Sequence, residues 1–72
     1  MTTLKCKAGH LIGGKYYGGI VEVLENGKKL YNIYTGYMRT TKKDAIADAK
    51  LEAEYIISQS SGIEISIKET TT

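Results

Sequence analysis

The residues with the most chemical potential lie between Cys6 and Lys15. Gly9-His10-Leu11-Ile12-Gly13-Gly14-Lys15 matches the first seven positions of a phosphate-binding loop. The eighth position of that motif is a serine or threonine whose hydroxyl reaches Mg²⁺, and here it is Tyr16. The motif must also open a helix, whereas Tyr16-Tyr17-Gly18-Gly19-Ile20 is strand-like. A glycine-rich bend between strands fits better. Cys6 and His10 offer two metal ligands, but a structural zinc site takes four, and the sequence has no other Cys or His. The same pair could be drawn as a nucleophile and its base. Yet Cys6 alternates with Leu4 and Ala8, the pattern of a small buried residue, and His10 is expected in a surface loop. Asp44, Asp48, Glu52 and Glu54 could be drawn as paired carboxylates for acid–base work. Their spacing is that of a solvated helix face, with Lys50 among them. No nucleophile–base pair or metal set can be assembled, so neither an enzyme nor a bound metal or cofactor is expected.

Binding chemistry is better represented. The chain divides near Thr40–Thr41 into a basic, aromatic part and an acidic part. Residues 1–43 hold eight Lys or Arg against two Glu, and residues 44–72 hold two Lys against six Asp or Glu. The overall charge of +2 hides this split. Five of the six tyrosines, Tyr16, Tyr17, Tyr31, Tyr34 and Tyr37, also lie before it. Tyrosines on a sheet serve as cross-strand pairs that stabilise it, or as a platform on which bases or a partner stack. Arg39, Lys42 and Lys43 gather where a helix should begin. Cations there oppose the helix dipole, so they mark a candidate anion seat; the plain alternative is that Asp44 offsets them.

These residues need elements to hold them. Seventy-two residues make one small domain, which buries only about 60% of the surface its unfolded chain exposes. With one cysteine and no zinc cluster, self-association is one way for so short a chain to stay folded. No apolar run reaches the roughly 18 residues of a membrane span, and Met1-Thr2-Thr3-Leu4-Lys5 is not a signal peptide. A lone thiol without a signal points to a reducing cytoplasm.

A first strand is expected over residues 3–8. A hairpin follows: strands over 16–24 and 30–38 joined by Asn26-Gly27, a pair suited to a turn with φ > 0. A two-residue turn pairs Val23 with Leu30, Val21 with Asn32, Gly19 with Tyr34 and Tyr17 with Gly36, setting each tyrosine across from a glycine. A glycine-bulge turn would instead set Val21 across from Tyr31. The first register is preferred for its two reciprocal Tyr/Gly pairs. A helix should start at Thr40 or Thr41, where Thr41-Lys42-Lys43-Asp44 resembles a capping box. Ile46, Ala49, Ala53, Ile56 and Ile57 form its apolar stripe, and Gly62 suits its end. Ile63, Ile65 and Ile67 alternate with polar residues as a last strand, and Thr70-Thr71-Thr72 is expected as a loose tail.

The expected fold is therefore α+β, a small antiparallel sheet of three to four strands in the order β-β-β-α-β with one helix on one face. An antiparallel sheet followed by a threonine- and lysine-rich helix start is similar to the arm-binding domains of tyrosine recombinases and to HicB-type antitoxin domains, and the resemblance extends to element order alone. The leading functional expectation is a non-catalytic module that binds nucleic acid through a basic, tyrosine-rich sheet face and the helix start. Lys15, Tyr17, Lys28, Lys29, Tyr34, Arg39, Lys42 and Lys43 would make the contacts. The alternative is a protein-binding or self-associating accessory or inhibitor protein of a phage or mobile element, possibly a homodimer.

Overall fold

A computed structural model of the chain describes residues 1–10, 14–60 and 65–69. Its elements are β1 (Thr2–His10), β2 (Tyr17–Glu25), β3 (Lys28–Tyr34), α1 (Lys42–Gln59) and β4 (Ile65–Glu69). The α+β class and the β-β-β-α-β order stand as expected. The four strands form one sheet in the order β3-β2-β1-β4. The three N-terminal strands are antiparallel, and β4 joins β1 in parallel, so the sheet is mixed. A parallel partner follows from the connection, because α1 carries the chain back across the sheet before β4 begins.

Alternation decides what is buried. Leu4, Cys6, Val21 and Val23 point to one face and are buried there with Ala45, Ala49 and Ala53 of α1. Half-buried Ile33, Ile46, Ile56, Ile57, Ile65 and Ile67 pack around this core. Ala45 belongs to the buried stripe, which the sequence pattern began at Ile46. Three alanines on one helix stripe let α1 lie very close to β2. A Cβ on Gly19 would sit 2.5 Å from the Ala45 carbonyl oxygen and 3.0 Å from the Ala49 nitrogen. Gly19 is thus a site of close backbone approach. The helix packs chiefly on β1 and β2 and touches β4.

The helix begins as the sequence predicts. Thr41 is its N-cap, and the Asp44 N–H donates to Thr41 Oγ1 at 3.2 Å. It ends at Gln59, with the Ser60 N–H donating to the Ile57 carbonyl at 3.0 Å. The expected stop at Gly62, the strand position Ile63, the tail from Thr70 and the bend residues Leu11, Ile12 and Gly13 lie outside the described residues.

The hairpin register corrects the expected one. Asn26 and Gly27 both have positive φ, 53° and 82°, as the two-residue turn requires. Glu25 pairs with Lys28 and Leu24 with Lys29, in the expected register. A bulge at Leu30 then shifts the pairing, so Val23 faces Tyr31, Val21 faces Ile33 and Ile20 faces Tyr34. Tyr17 faces Arg39 through two backbone hydrogen bonds of 2.7 and 2.8 Å, not Gly36. Neither Tyr/Gly pair forms. A one-residue slip exchanges the faces of a strand. Without the bulge, Asn32 would oppose Val21 on the core side and Ile33 would face outward. The extra residue turns Ile33 inward, and burial of that side chain outweighs the tyrosine–glycine pairing.

Candidate functional site

The face of the sheet opposite α1 carries the groups able to bind. Residues of β1 that alternate with Leu4 and Cys6 are Thr3, Lys5, Lys7 and Gly9. Pairing extends their rows across the sheet. Thr3 lies between Ser66 and Leu24, Lys5 between Lys68 and Glu22, and Lys7 beside Ile20, which faces Tyr34. Lys29, opposite Leu24, completes the face. Among the described residues, four lysines therefore share this surface with one carboxylate, Glu22.

That carboxylate is well used. Lys7 Nζ donates to Glu22 Oε2 at 2.9 Å, and Lys29 Nζ lies 3.8 Å from the same oxygen. The hydrogen bond from Lys7, helped by the charges of Lys7, Lys29 and Lys5, holds the Glu22 carboxyl below its ordinary value. Beside it, Asn32 Oδ1 is shielded from solvent and accepts no hydrogen bond from the described residues.

Lys5, across from Glu22, feels that carboxylate only at longer range, and neither Lys5 nor Lys68 makes an ion pair within 4 Å among the described residues. They sit directly across from each other in the parallel register. Like charges set opposite one another destabilise a sheet, so this pair departs from what folding alone would favour. Next to it, the Thr3 and Ser66 hydroxyls share a hydrogen bond of 3.3 Å. Together with Met1, Leu24 and Gly27 these four residues line an open groove of about 490 Å³. Two ammonium groups and the hydroxyl left free to donate are, at one groove, donors matched to a phosphate or another anion.

At the far end of the same face is a smaller concavity of about 120 Å³. Gly18, Gly19 and Gly36 give it bare backbone, Ile20, which overhangs Gly9, and Tyr34 wall it, and His10 borders it from the end of β1. Tyr34 is 68% exposed.

The residues expected to bind are divided between this face and another corner. Tyr34 and Lys29 lie on the open face. Lys28 is one residue away in sequence and therefore on the opposite side of β3, across from Glu25. Lys15 is exposed just before β2. Tyr17 points to the helix side, which corrects its expected place beside Tyr34. Its ring stacks at 4.7 Å on His10, and the Lys42 ammonium lies 5.9 Å from its centroid. His10 is accordingly the last residue of β1 and not a loop residue.

Arg39 also has structural partners. Its Nε and Nη2 donate to the two carboxylate oxygens of Asp48 at 2.6 and 2.9 Å. Its guanidinium lies 5.6 Å from the Tyr37 ring. The forked contact with Asp48 raises the Arg39 pKa still further. Asp48, expected on a solvated face, is instead the anchor that ties the chain after β3 to α1. The cations at the helix start thus have a local benefit that sequence spacing does not reveal. Lys43 is exposed in the first turn.

The cations of the open face that sequence reasoning passed over are Lys5, Lys7 and Lys68. The signal for them was the alternation itself: Lys5 and Lys7 interleave with Leu4, Cys6 and Ala8, and Lys68 follows Ile67. Among the described residues, no group of three or more His, Cys, Asp or Glu could hold a metal ion. Among the same residues, no helix is long and apolar enough to cross a membrane. No protein-family model matches the chain. Neither a curated protein nor a solved structure matches it.

Proposed function

We propose that this chain is a small, non-catalytic module that binds nucleic acid through the open face of its sheet. The observation that carries the proposal is the opposed pair Lys5 and Lys68 beside the Thr3 and Ser66 hydroxyls. An anion placed there would relieve the repulsion between the two ammonium groups and accept from both of them and from the hydroxyl that the Thr3–Ser66 hydrogen bond leaves free to donate. Lys7 and Lys29 extend the positive surface, while the helix on the far side keeps Asp44, Asp48, Glu52 and Glu54 away from it. A repeating polyanion is the ligand that uses a lysine-lined face more than one residue wide.

Binding to labelled oligonucleotides across a salt series tests this. Log affinity should fall linearly with log salt, and the slope should lose about 0.9 for each phosphate contact removed. Replacing Lys5 and Lys68 together with glutamine should therefore flatten the slope by nearly two. No measurable binding at low salt would end the proposal.

A second reading is self-association through β3, supported by its position at the sheet edge. The Thr35 N–H donates to the Gly19 carbonyl at 3.1 Å, so alternate residues Ile33 and Tyr31 turn their backbone groups to β2. Asn32 and Tyr34 then direct theirs outward. Two copies related by a twofold axis at Ile33 would pair Asn32 of one with Tyr34 of the other and join the sheets edge to edge. Exposed Leu30, Tyr31 and Met38 near this edge suit such a contact. A solution mass measurement separates monomer from dimer. Tyr31→Lys should dissociate a dimer built this way.

A further inference from the structure

We infer that the nucleic acid bound by the open face is single-stranded, with one base held against Tyr34 over the glycine-floored concavity. The inference rests on the nucleic-acid reading above and deepens it. Three observations carry it.

The first is shape. Four strands spaced about 4.8 Å apart present a face roughly 14 Å across before side chains are added. The major groove of duplex DNA is about 12 Å wide and takes a helix or a two-stranded ribbon. A duplex would meet this sheet only through its outer phosphates, whereas a single strand can lie along it.

The second is the seat itself. Gly18 brings no side chain to the concavity, and Ile20, which overhangs Gly9, and the exposed Tyr34 flank it. Ile20 leans over Gly9, with its Cδ1 2.8 Å from where a Gly9 Cβ would stand, and its side chain forms the apolar edge of the seat. A flat apolar partner fits a bare backbone floor with an aromatic wall. Every nucleobase has such a π-face, so stacking there would tolerate any sequence.

The third is alignment. Thr3, Lys5, Lys7 and Gly9 follow one another along the same side of β1. The donor groove lies at one end of this row and the seat at the other, six residues or about 20 Å apart. A strand whose phosphates follow Lys5, Lys68 and Lys7 would deliver a base to Tyr34, the combination of a cationic track and a stacking ring that unspecific single-strand binding uses. The hydroxyl and amine donors on this face suit DNA and RNA alike.

Fluorescence anisotropy with a labelled oligothymidylate, its RNA counterpart and a mixed-sequence duplex of equal length tests the inference. Both single strands should bind more tightly than the duplex. Tyr34→Ala should weaken single-strand binding by about 5- to 100-fold, the loss of one base stack, and leave the salt slope and duplex binding as they were. Tyr34→Phe should keep wild-type affinity. Gly9→Ala, whose methyl displaces the end of Ile20 toward the seat, should lower single-strand affinity in the same selective way. Melting curves of each variant should match the wild type, because Tyr34 is exposed on an edge strand. Tyr34→Ala binding like the wild type, or a duplex binding as tightly as a single strand, would overturn the inference and leave the nucleic-acid reading intact. Absence of salt-dependent binding to all three probes would overturn both.

Discussion

The two faces of this sheet are made by the same strands, one residue out of step, and they obey opposite rules. On the covered face, Leu4, Cys6, Val21 and Val23 meet a helix that presents alanines, and no buried polar or charged residue interrupts them. On the open face, Lys5 opposes Lys68, Asn32 Oδ1 goes without a hydrogen bond among the described residues, and glycines leave the backbone bare. The covered face is consistent at every level with folding. The open face tolerates repulsion and empty space that folding does not need. In a domain this small, whose total stability is about 4–11 kcal/mol at the usual 0.05–0.15 per residue, such features are expected where binding returns a benefit.

If that contrast holds, core changes should unfold the protein and open-face changes should leave it folded. Leu4→Ala, at a residue only 1% exposed, should lose about 2–5 kcal/mol in urea denaturation, enough to threaten the folded state. Gly19→Ala should lose about 1–3 kcal/mol, because its new methyl meets helix backbone that cannot move independently. The same change at Gly9 meets only the mobile end of Ile20, so a comparable loss there would erase the distinction between the faces. Thr41→Ala should lose about 1 kcal/mol with the N-cap. Lys5→Gln with Lys68→Gln should stay within about 0.5 kcal/mol of wild type, and relief of the like-charge pair could make the variant slightly more stable.

The smallest effect is the pH dependence of the Glu22 contacts. Lys7 depresses the Glu22 pKa, and the Thr2 hydroxyl, 2.6 Å away, does the same for Glu25. A carboxylate whose native pKa lies below its unfolded value adds stability that is fully present above about pH 4.3 and is lost as pH falls through the native value. Melting temperature should therefore be flat from pH 8 to 6 and decline below about pH 4.3. Lys7→Met should shrink that decline.

Much of the fold was legible because it depends on local pattern. Asn26-Gly27 demands positive φ, Thr41 and Asp44 make a cap, and Leu4, Cys6 and Ala8 alternate. Each of these is settled within a few residues. The hairpin register was misread because it turned on a comparison of two long-range states. Tyrosine–glycine pairing and burial of Ile33 compete, and only the helix above the sheet decides between them. The candidate site was half legible for the same reason. Tyr34 and Lys29 were found by composition, whereas Lys5 and Lys68 are 63 residues apart and become a pair only when β4 lands beside β1. Arg39 and Tyr17 looked like binding groups because Asp48, Lys42 and His10, which engage them, are brought close by the helix and by the end of β1.

Periodicity, turn chemistry and capping acted over distances of a few residues, so the chain alone set its element order, its alanine helix and its charge division. Strand adjacency, the bulge at Leu30 and the meeting of Lys5 with Lys68 were left to packing. These depend on which distant side chains compete for the same buried volume, and that contest is resolved only when the helix closes on the sheet.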